Sequence, residues 1–235
     1  MNITAAFRQA ADRLLQPDCD FCGNPCSLGQ PLCDACHAEL PWLPVEYHTP
    51  LPDCDETVSA FAYQPPISNL LLGIKFGKNL RSLATLGELT SNGILPQIAK
   101  IPEAILPIPL HSRRLQQRGF NQALELARPL ARTLKIPLLT HTIVRSKATL
   151  PQTELDSRQR LSNLKQAFQI ASLPPYHSIA IFDDVITTGT TARELALLLR
   201  NQGIRHIAIW SCARAILRQK HELTEQIDYH VQPTQ

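Results

Sequence analysis

Aromatic residues make up only 6% of the 235-residue chain, and methionine occurs once. Sequence-tolerant binding of single-stranded nucleic acid usually relies on aromatic stacking, so a shortage of rings weakens that reading. Long apolar runs are also missing. No stretch approaches the roughly 20 apolar residues of a membrane span, and residues 1–17 lack the apolar core and small-residue cleavage site of a secretory signal. A cytoplasmic protein with no membrane insertion is expected. No two of the nine glycines stand two residues apart, which removes the G-x-G-x-x-G dinucleotide fingerprint, and G-x-S-x-G is absent too. The run Gly73-Ile74-Lys75-Phe76-Gly77-Lys78-Asn79 is not a nucleotide-binding P-loop. Three residues separate its glycines instead of four, and Asn79 stands where Ser or Thr would meet Mg²⁺.

What is present describes a globular protein. Hydrophobic residues at 44% and charged residues at 18% exclude a disordered or collagen-like chain, and 19 scattered prolines count against a helical bundle. The length suits one main domain plus a small module. The net charge of +3 hides an asymmetry: residues 1–60 hold two arginines against nine acids, whereas residues 111–165 hold eleven Lys and Arg against three. Such a basic stretch suits a polyanion (phosphate, pyrophosphate or nucleic acid) or a solvated basic face.

Seven cysteines without a secretion signal argue against a disulfide framework. Four of them form Cys19-x2-Cys22 and Cys33-x2-Cys36. Each pair can place two thiolates on one metal through a tight knuckle, and the ten residues between the pairs let a tetrahedral site close. A structural Zn²⁺ is expected, with Cys26 or His37 as alternatives for one ligand. Packed reduced thiols and a redox pair are the competing readings. Four protein ligands would leave no open position, so such a zinc would support the fold and not catalyse.

Residues 2–16 read as an amphipathic helix, with Ala6, Phe7, Ala10, Ala11, Leu14 and Leu15 on one side. Pro41, Pro44, Pro50 and Pro52 punctuate the exit from the cysteine module, which places a domain boundary near residue 50. Expected domains are therefore 1–50 and 51–235. Beyond the boundary, strand patterns at 58–63, 104–108, 138–144, 178–182 and 204–210 alternate with helical patterns at 67–76, 80–90, 121–134 and 191–201. Residues 146–166 read as a loop with a short helix. Strands separated by helices of this length indicate a parallel α/β sheet.

Parallel sheets bind ligands at the carboxyl ends of their strands. After Ser178–Phe182 comes Asp183-Asp184-Val185-Ile186-Thr187-Thr188-Gly189-Thr190-Thr191, followed directly by a helix. Gly189 permits close backbone approach, successive N–H groups can form an anion nest, and the helix start adds partial positive charge. Four threonine hydroxyls add donors, and the two carboxylates can accept from sugar hydroxyls or help hold Mg²⁺. Together these residues suit a sugar phosphate. The plainer alternative is a capped strand-to-helix turn with polar filler.

The Asp183–Thr191 segment resembles the phosphoribosyl pyrophosphate (PRPP) motif of type I phosphoribosyltransferases. The two cysteine pairs, Ile74-Lys75-Phe76-Gly77, Leu106-Pro107-Ile108-Pro109-Leu110, Arg114 through Gln122, Gln152 through Leu155, Arg160, Asn163 and Ala167-Phe168 narrow the resemblance to the ComF family. It covers nearly the whole chain. The resemblance implies a type I phosphoribosyltransferase-like parallel sheet flanked by helices, a small N-terminal four-cysteine zinc module, and a link to natural competence and use of external DNA. It also implies that Asp183 and Asp184 meet the ribose hydroxyls, and that Thr187, Thr188, Gly189, Thr190 and Thr191 cradle the 5′-phosphate. Arg113 or Arg114 would lie near the leaving pyrophosphate, with Arg118 and Lys75 as further candidates. Segment 145–160, carrying Arg145, Lys147, Arg158 and Arg160, would take the place of a closing loop. Ordinary ion pairs remain the alternative for Arg114 and Arg118, and a surface position for Lys75. The expected partners are PRPP with Mg²⁺, single-stranded DNA and other DNA-uptake proteins. Two functions compete: a phosphoribosyltransferase of unidentified acceptor, and a non-enzymatic PRPP-sensing or single-stranded-DNA-binding adaptor.

Overall fold

The computed structural model describes residues 17–27, 29–77, 80–145, 167–172 and 175–216. The helix expected over 2–16 and the segment 146–166, with Lys147, Arg158 and Arg160, lie outside them. Four parallel strands form the central sheet in the order β1-β6-β5-β2, comprising β1 (Glu56–Ala62), β6 (His206–Arg214), β5 (Ser178–Ile186) and β2 (Ala104–Pro107). Helices α2 (Ile67–Lys75) and α3 (Arg81–Ile94) connect β1 to β2; α4 (Ser112–Arg118) and α5 (Gln122–Leu134) follow β2. Helix α6 (Thr190–Asn201) joins β5 to β6. Two short antiparallel strands, β3 (Ile143–Arg145) and β4 (Phe168–Ile170), pair with each other. The cysteine module contributes one short helix, α1 (Asp34–Ala38). Among the described residues, no helix is long and apolar enough to cross a membrane.

The all-apolar stretch Ile179–Phe182 explains why β5 lies inside the sheet. A strand covered on both faces gains from an unbroken hydrophobic run, at roughly 1.5–3 kcal/mol for each large side chain buried. One face packs Phe61, Ile74, Leu86, Leu126, Phe182 and Trp210 beneath α2, α3 and α5, and Cys19, Cys26, Leu32 and Leu40 of the cysteine module join that cluster. The other face packs Ile179, Ile181, Leu195, Leu199 and Ile209 beneath α6. Close approach of α3 to its neighbours depends on two small residues. A Cβ on Gly87 would stand 3.1 Å from Pro129 of α5, and one on Gly93 would stand 2.7 Å from Trp42.

Three strand expectations change, one of them at β6, which is expected over 204–210 and spans His206–Arg214. The stretch 138–144 is not one strand: Leu138 makes a single parallel bridge to Ile105, and only 143–145 pairs further on, with β4. Pro137 has no N–H, and its carbonyl accepts from Ile105 N at 2.9 Å, so ladder pairing at this edge is short. Strand β5, expected to stop at Phe182, continues to Ile186, with Asp183 opposite Ser211 and Val185 opposite Ala213. The proline-punctuated exit from the module is also partly ordered against the sheet. Leu43 N donates to Ala60 O at 2.9 Å and Ala62 N to Pro41 O at 2.8 Å.

Candidate functional site

Because β5 runs to Ile186, the acidic pair belongs to the strand end, and the turn into α6 is only Thr187, Thr188 and Gly189. Asp183 Oδ1 accepts from Asp184 N at 2.9 Å, and Asp184 Oδ1 accepts from Val185 N at 3.0 Å. Gly189 adopts φ +71 and caps α6 without a side-chain hydrogen bond, so the first-turn N–H groups are not taken up by a capping side chain. Thr188 and Thr190 join their hydroxyls at 2.7 Å. Asp183, Asp184, all four threonines and Gly189 line one cleft of about 240 Å³, walled by Tyr63, Leu71, Leu72 and Lys75.

Gly189 differs in one respect from its expected role. A Cβ built there meets Leu51 Cδ1 at 2.4 Å, so the vacant side of the glycine is occupied by the protein's own leucine and not held open for a ligand.

Arginines gather around the acidic pair. Burial pushes the Asp183 carboxyl well above the ordinary carboxylate range; the neighbouring Asp184 charge adds to this, and Arg145 opposes it. Arg145 sits over the Phe168 ring at 5.4 Å. Burial lowers its guanidinium, Arg114 lowers it further, and Asp183 and Glu194 act in the opposite direction. Arg118 is likewise lowered by burial and by Arg114, against Asp184, and its Nη1 donates to Gln122 Oε1 at 3.3 Å. Arg114 and Arg118, four residues apart on α4, share a face of that helix; Arg118 is under the influence of Asp184, and Arg114 lies near both Arg118 and Arg145. Arg113 does not share that face: its side chain is exposed, while its backbone N–H donates to His111 Nδ1 at 3.2 Å, making His111 the cap of α4.

The four cysteines Cys19, Cys22, Cys33 and Cys36 bring their Sγ atoms within 4.8 Å of one another. Zn–S bonds of about 2.3 Å in a tetrahedron require sulfurs about 3.8 Å apart. Cys22 and Cys33 lie at 3.7 Å. Phe21 N donates to Cys19 Sγ at 3.5 Å and Asn24 N to Cys22 Sγ at 3.4 Å, the N–H···S support a thiolate knuckle needs. Burial alone would raise the Cys19 thiol, but the backbone N–H groups of Cys22, Cys33 and Phe21 pull it down to about 6. The set fits a structural zinc. Neither Cys26 nor His37 belongs to it; Cys26 is buried beside Asn24, and burial raises its thiol to about 11.

Competence protein F of Haemophilus influenzae is 38% identical over 195 residues, covering 79% of this chain and 85% of that protein. The chain belongs to the ComF family. Two further relatives of this ComF member carry the name DNA utilization protein YhgH. The Salmonella typhimurium protein is 33% identical over 84% of each chain, and the Escherichia coli K12 protein is 30% identical over 84% of this chain and 90% of its own. Among solved structures, a purine phosphoribosyltransferase from Pyrococcus horikoshii overlaps loosely, at 18% identity and a TM-score of 0.29, over 57% of this chain and 81% of that one. The chain matches no protein-family model.

Two residues of this ComF chain near the turn escaped the sequence reading. Glu194, on α6, has a buried Oε2 without a hydrogen-bond partner among the described residues, and burial raises its carboxyl to about 7 against the pull of Arg145. An acidic residue four positions after Thr190, on the helix that shares a core cluster with β3 and β4, is the signal that could have marked it. Leu51 could not have been found that way, since its contact spans 138 residues of sequence.

Proposed function

We propose that this ComF protein binds PRPP at Asp183–Thr191 and serves the uptake or use of external DNA. One observation carries the PRPP reading: two adjacent carboxylates, an uncapped glycine turn and Lys75 line the same cleft. The carboxylates suit the ribose hydroxyls as acceptors, and Thr187, Thr188, Thr190 and Thr191 with the turn N–H groups suit the 5′-phosphate. Arg114, Arg118 and Arg145 suit the pyrophosphate. The names of the relatives supply the DNA part of the proposal.

As an enzyme, the protein would be a phosphoribosyltransferase. A nitrogen nucleophile forms the N–C1 bond as the C1–O bond breaks, pyrophosphate departs with the electron pair, and the nitrogen loses a proton. The cations then stabilise the charge that builds on the leaving group. Adjacent carboxyls that repel one another fit a cation or two hydroxyl donors, so Asp183 and Asp184 are the residues that would help hold Mg²⁺. Bound with PRPP, Mg²⁺ would neutralise phosphate charge. The four-cysteine set would hold one structural Zn²⁺, residues 1–50 would form its module, and the protein would act in the cytoplasm. The gathering of three arginines favours a second reading, a non-enzymatic adaptor that senses PRPP or binds single-stranded DNA.

Calorimetric titration of PRPP with Mg²⁺ tests the site. The double variant Asp183→Asn, Asp184→Asn should weaken binding by about tenfold or more, because charge-assisted hydrogen bonds are worth about 1.5–3 kcal/mol. Unchanged affinity would place the ligand elsewhere. Product formation from PRPP with candidate bases separates the enzyme from the adaptor.

A further inference from the structure

The chain leaving the cysteine module does not pass the phosphate turn at a distance. Leu51-Pro52-Asp53-Cys54 forms a tight turn in which Cys54 N donates to Leu51 O at 3.3 Å, with Pro52 second and Asp53 third at φ +71. That is the pattern of a type II turn, whose third position favours glycine. Aspartate enters that left-handed region less readily than glycine, so surrounding contacts help to hold it there.

Those contacts are on α6, the helix that begins at the phosphate turn. Asp53 Oδ2 accepts from Arg193 Nη2 at 2.9 Å and from its Nε at 3.3 Å. Asp55 Oδ2 accepts from Arg200 Nη2 at 2.5 Å and from Ile207 N at 2.7 Å. Leu51 itself is fixed from the other side. Its N–H donates to Thr57 Oγ1 at 3.0 Å, and its carbonyl accepts from Cys54 Sγ at 2.8 Å. So held, Leu51 places Cδ1 where a Cβ on Gly189 would lie 2.4 Å away. Arg193, which anchors the 51–55 segment as a strap across the start of α6, has its own N–H bonded to Gly189 O at 2.9 Å. Strap and turn thus share both a side-chain contact and one turn of helix.

We propose that Leu51 is a positioning residue for the Thr187–Gly189 turn: it fills the space left by the missing Gly189 side chain and holds the turn's N–H groups in their anion-binding arrangement. The ligand part rests on the proposal that this turn binds the PRPP phosphate; the positioning part does not. The occupied side of Gly189 requires a glycine for two reasons, positive φ and the leucine, and the second is removable by mutation.

The test is a double-mutant cycle on Leu51→Ala and Gly189→Ala with two readouts in the full-length protein. The first is hydrogen exchange at residues 187–191 without ligand. Leu51→Ala should speed exchange there by about tenfold while leaving β5 and β6 protection unchanged, and Leu51→Met should restore the slow rate. The second is titration with PRPP and Mg²⁺. Leu51→Ala should weaken binding by about tenfold, in line with the steep cost of sub-ångström misplacement. Gly189→Ala should cost more, and adding Leu51→Ala to it should recover part of the loss, because the obstructing methyl is gone. Unchanged exchange at 187–191 in Leu51→Ala, or losses that simply add in the cycle, would overturn the proposal. If wild-type protein binds no PRPP while exchange responds as stated, the ligand reading fails and the positioning role stands.

Discussion

Asp183→Asn removes one charge from a pair of neighbouring carboxyls with almost no change of volume. The amide oxygen can still accept the 2.9 Å bond from Asp184 N, so local geometry is kept. Burial and the Asp184 charge both raise the Asp183 carboxyl, which means the folded state binds that proton more tightly than the unfolded chain. For a raised carboxyl the sign is fixed. Stability is fullest while the group is protonated and falls as pH climbs from the unfolded carboxylate range, near 3.9, through the higher folded value. Relieving a part-buried, like-charge contact is worth about 1–2 kcal/mol. For a chain of this size each 1 kcal/mol moves the melting temperature by about 2–4 °C. Thermal unfolding followed by circular dichroism from pH 4 to 8 should show the ligand-free variant melting roughly 2–8 °C above wild type at pH 8 and converging with it toward pH 4. The same variant should bind PRPP more weakly, since the ribose loses an anionic acceptor. A variant that melts below wild type at pH 8, or a gap that does not widen with pH, would refute the electrostatic reasoning.

Metal analysis of purified protein should give one zinc per chain; Cys33→Ser should lose it, and a strong chelator should lower the melting temperature of wild type sharply, because structural zinc contributes roughly 10 kcal/mol or more of folding free energy. If single-stranded DNA uses the cleft-side cations, Arg114→Ala with Arg118→Ala should flatten the slope of log affinity against log salt by about 1.4, at about 0.7 for each phosphate contact, whereas Arg128→Ala with Arg132→Ala should leave it unchanged.

Local chemistry made much of the architecture readable. Asn121 stands before a helical pattern, and its side chain does accept from Ala123 N at 3.1 Å while donating to Ile108 O at 3.0 Å. The cysteine pairs declare their cluster by spacing alone. What stayed hidden depends on contacts between distant parts of the chain. Two adjacent carboxylates look like a loop, yet pairing with β6 carries β5 through them to Ile186. Nothing local marks Asp20, yet its carboxylate accepts from Thr85 Oγ1 at 2.5 Å and pairs with Arg81 at 2.9 Å, and its carbonyl accepts from Ser82 Oγ. It thus fastens the cysteine module to α3. The glycine turn was visible, but the leucine against it was not, because periodicity and propensity carry no information about which loop returns to cover a given residue.

The charge asymmetry of the sequence takes on a different meaning once folded. Three acids of the first sixty residues are paired with later parts of the chain: Asp20 with Arg81 on α3, and Asp53 and Asp55 with Arg193 and Arg200 on α6. Partly exposed pairs like these contribute at most about 1 kcal/mol each, so their value lies in fixing where the module and its exit loop sit. The basic middle of the chain divides as well. Arg128 and Arg132 pair with Glu125 and Glu88 along the α3–α5 groove, away from the cleft. Arg118 instead interacts with Asp184 and Arg145 with Asp183, with Arg114 close to both arginines. Of the acids near these arginines, burial raises the Asp183 carboxyl, and it raises the Glu194 carboxyl to about 7, so Glu194 carries less than full charge near neutrality. With Lys75 lining the same cleft, these basic groups offset the negative charge that the acidic pair alone would give it. That balance favours a ligand bearing both hydroxyl donors and several phosphate charges over a neutral sugar, which the carboxylates could hold but the arginines could not.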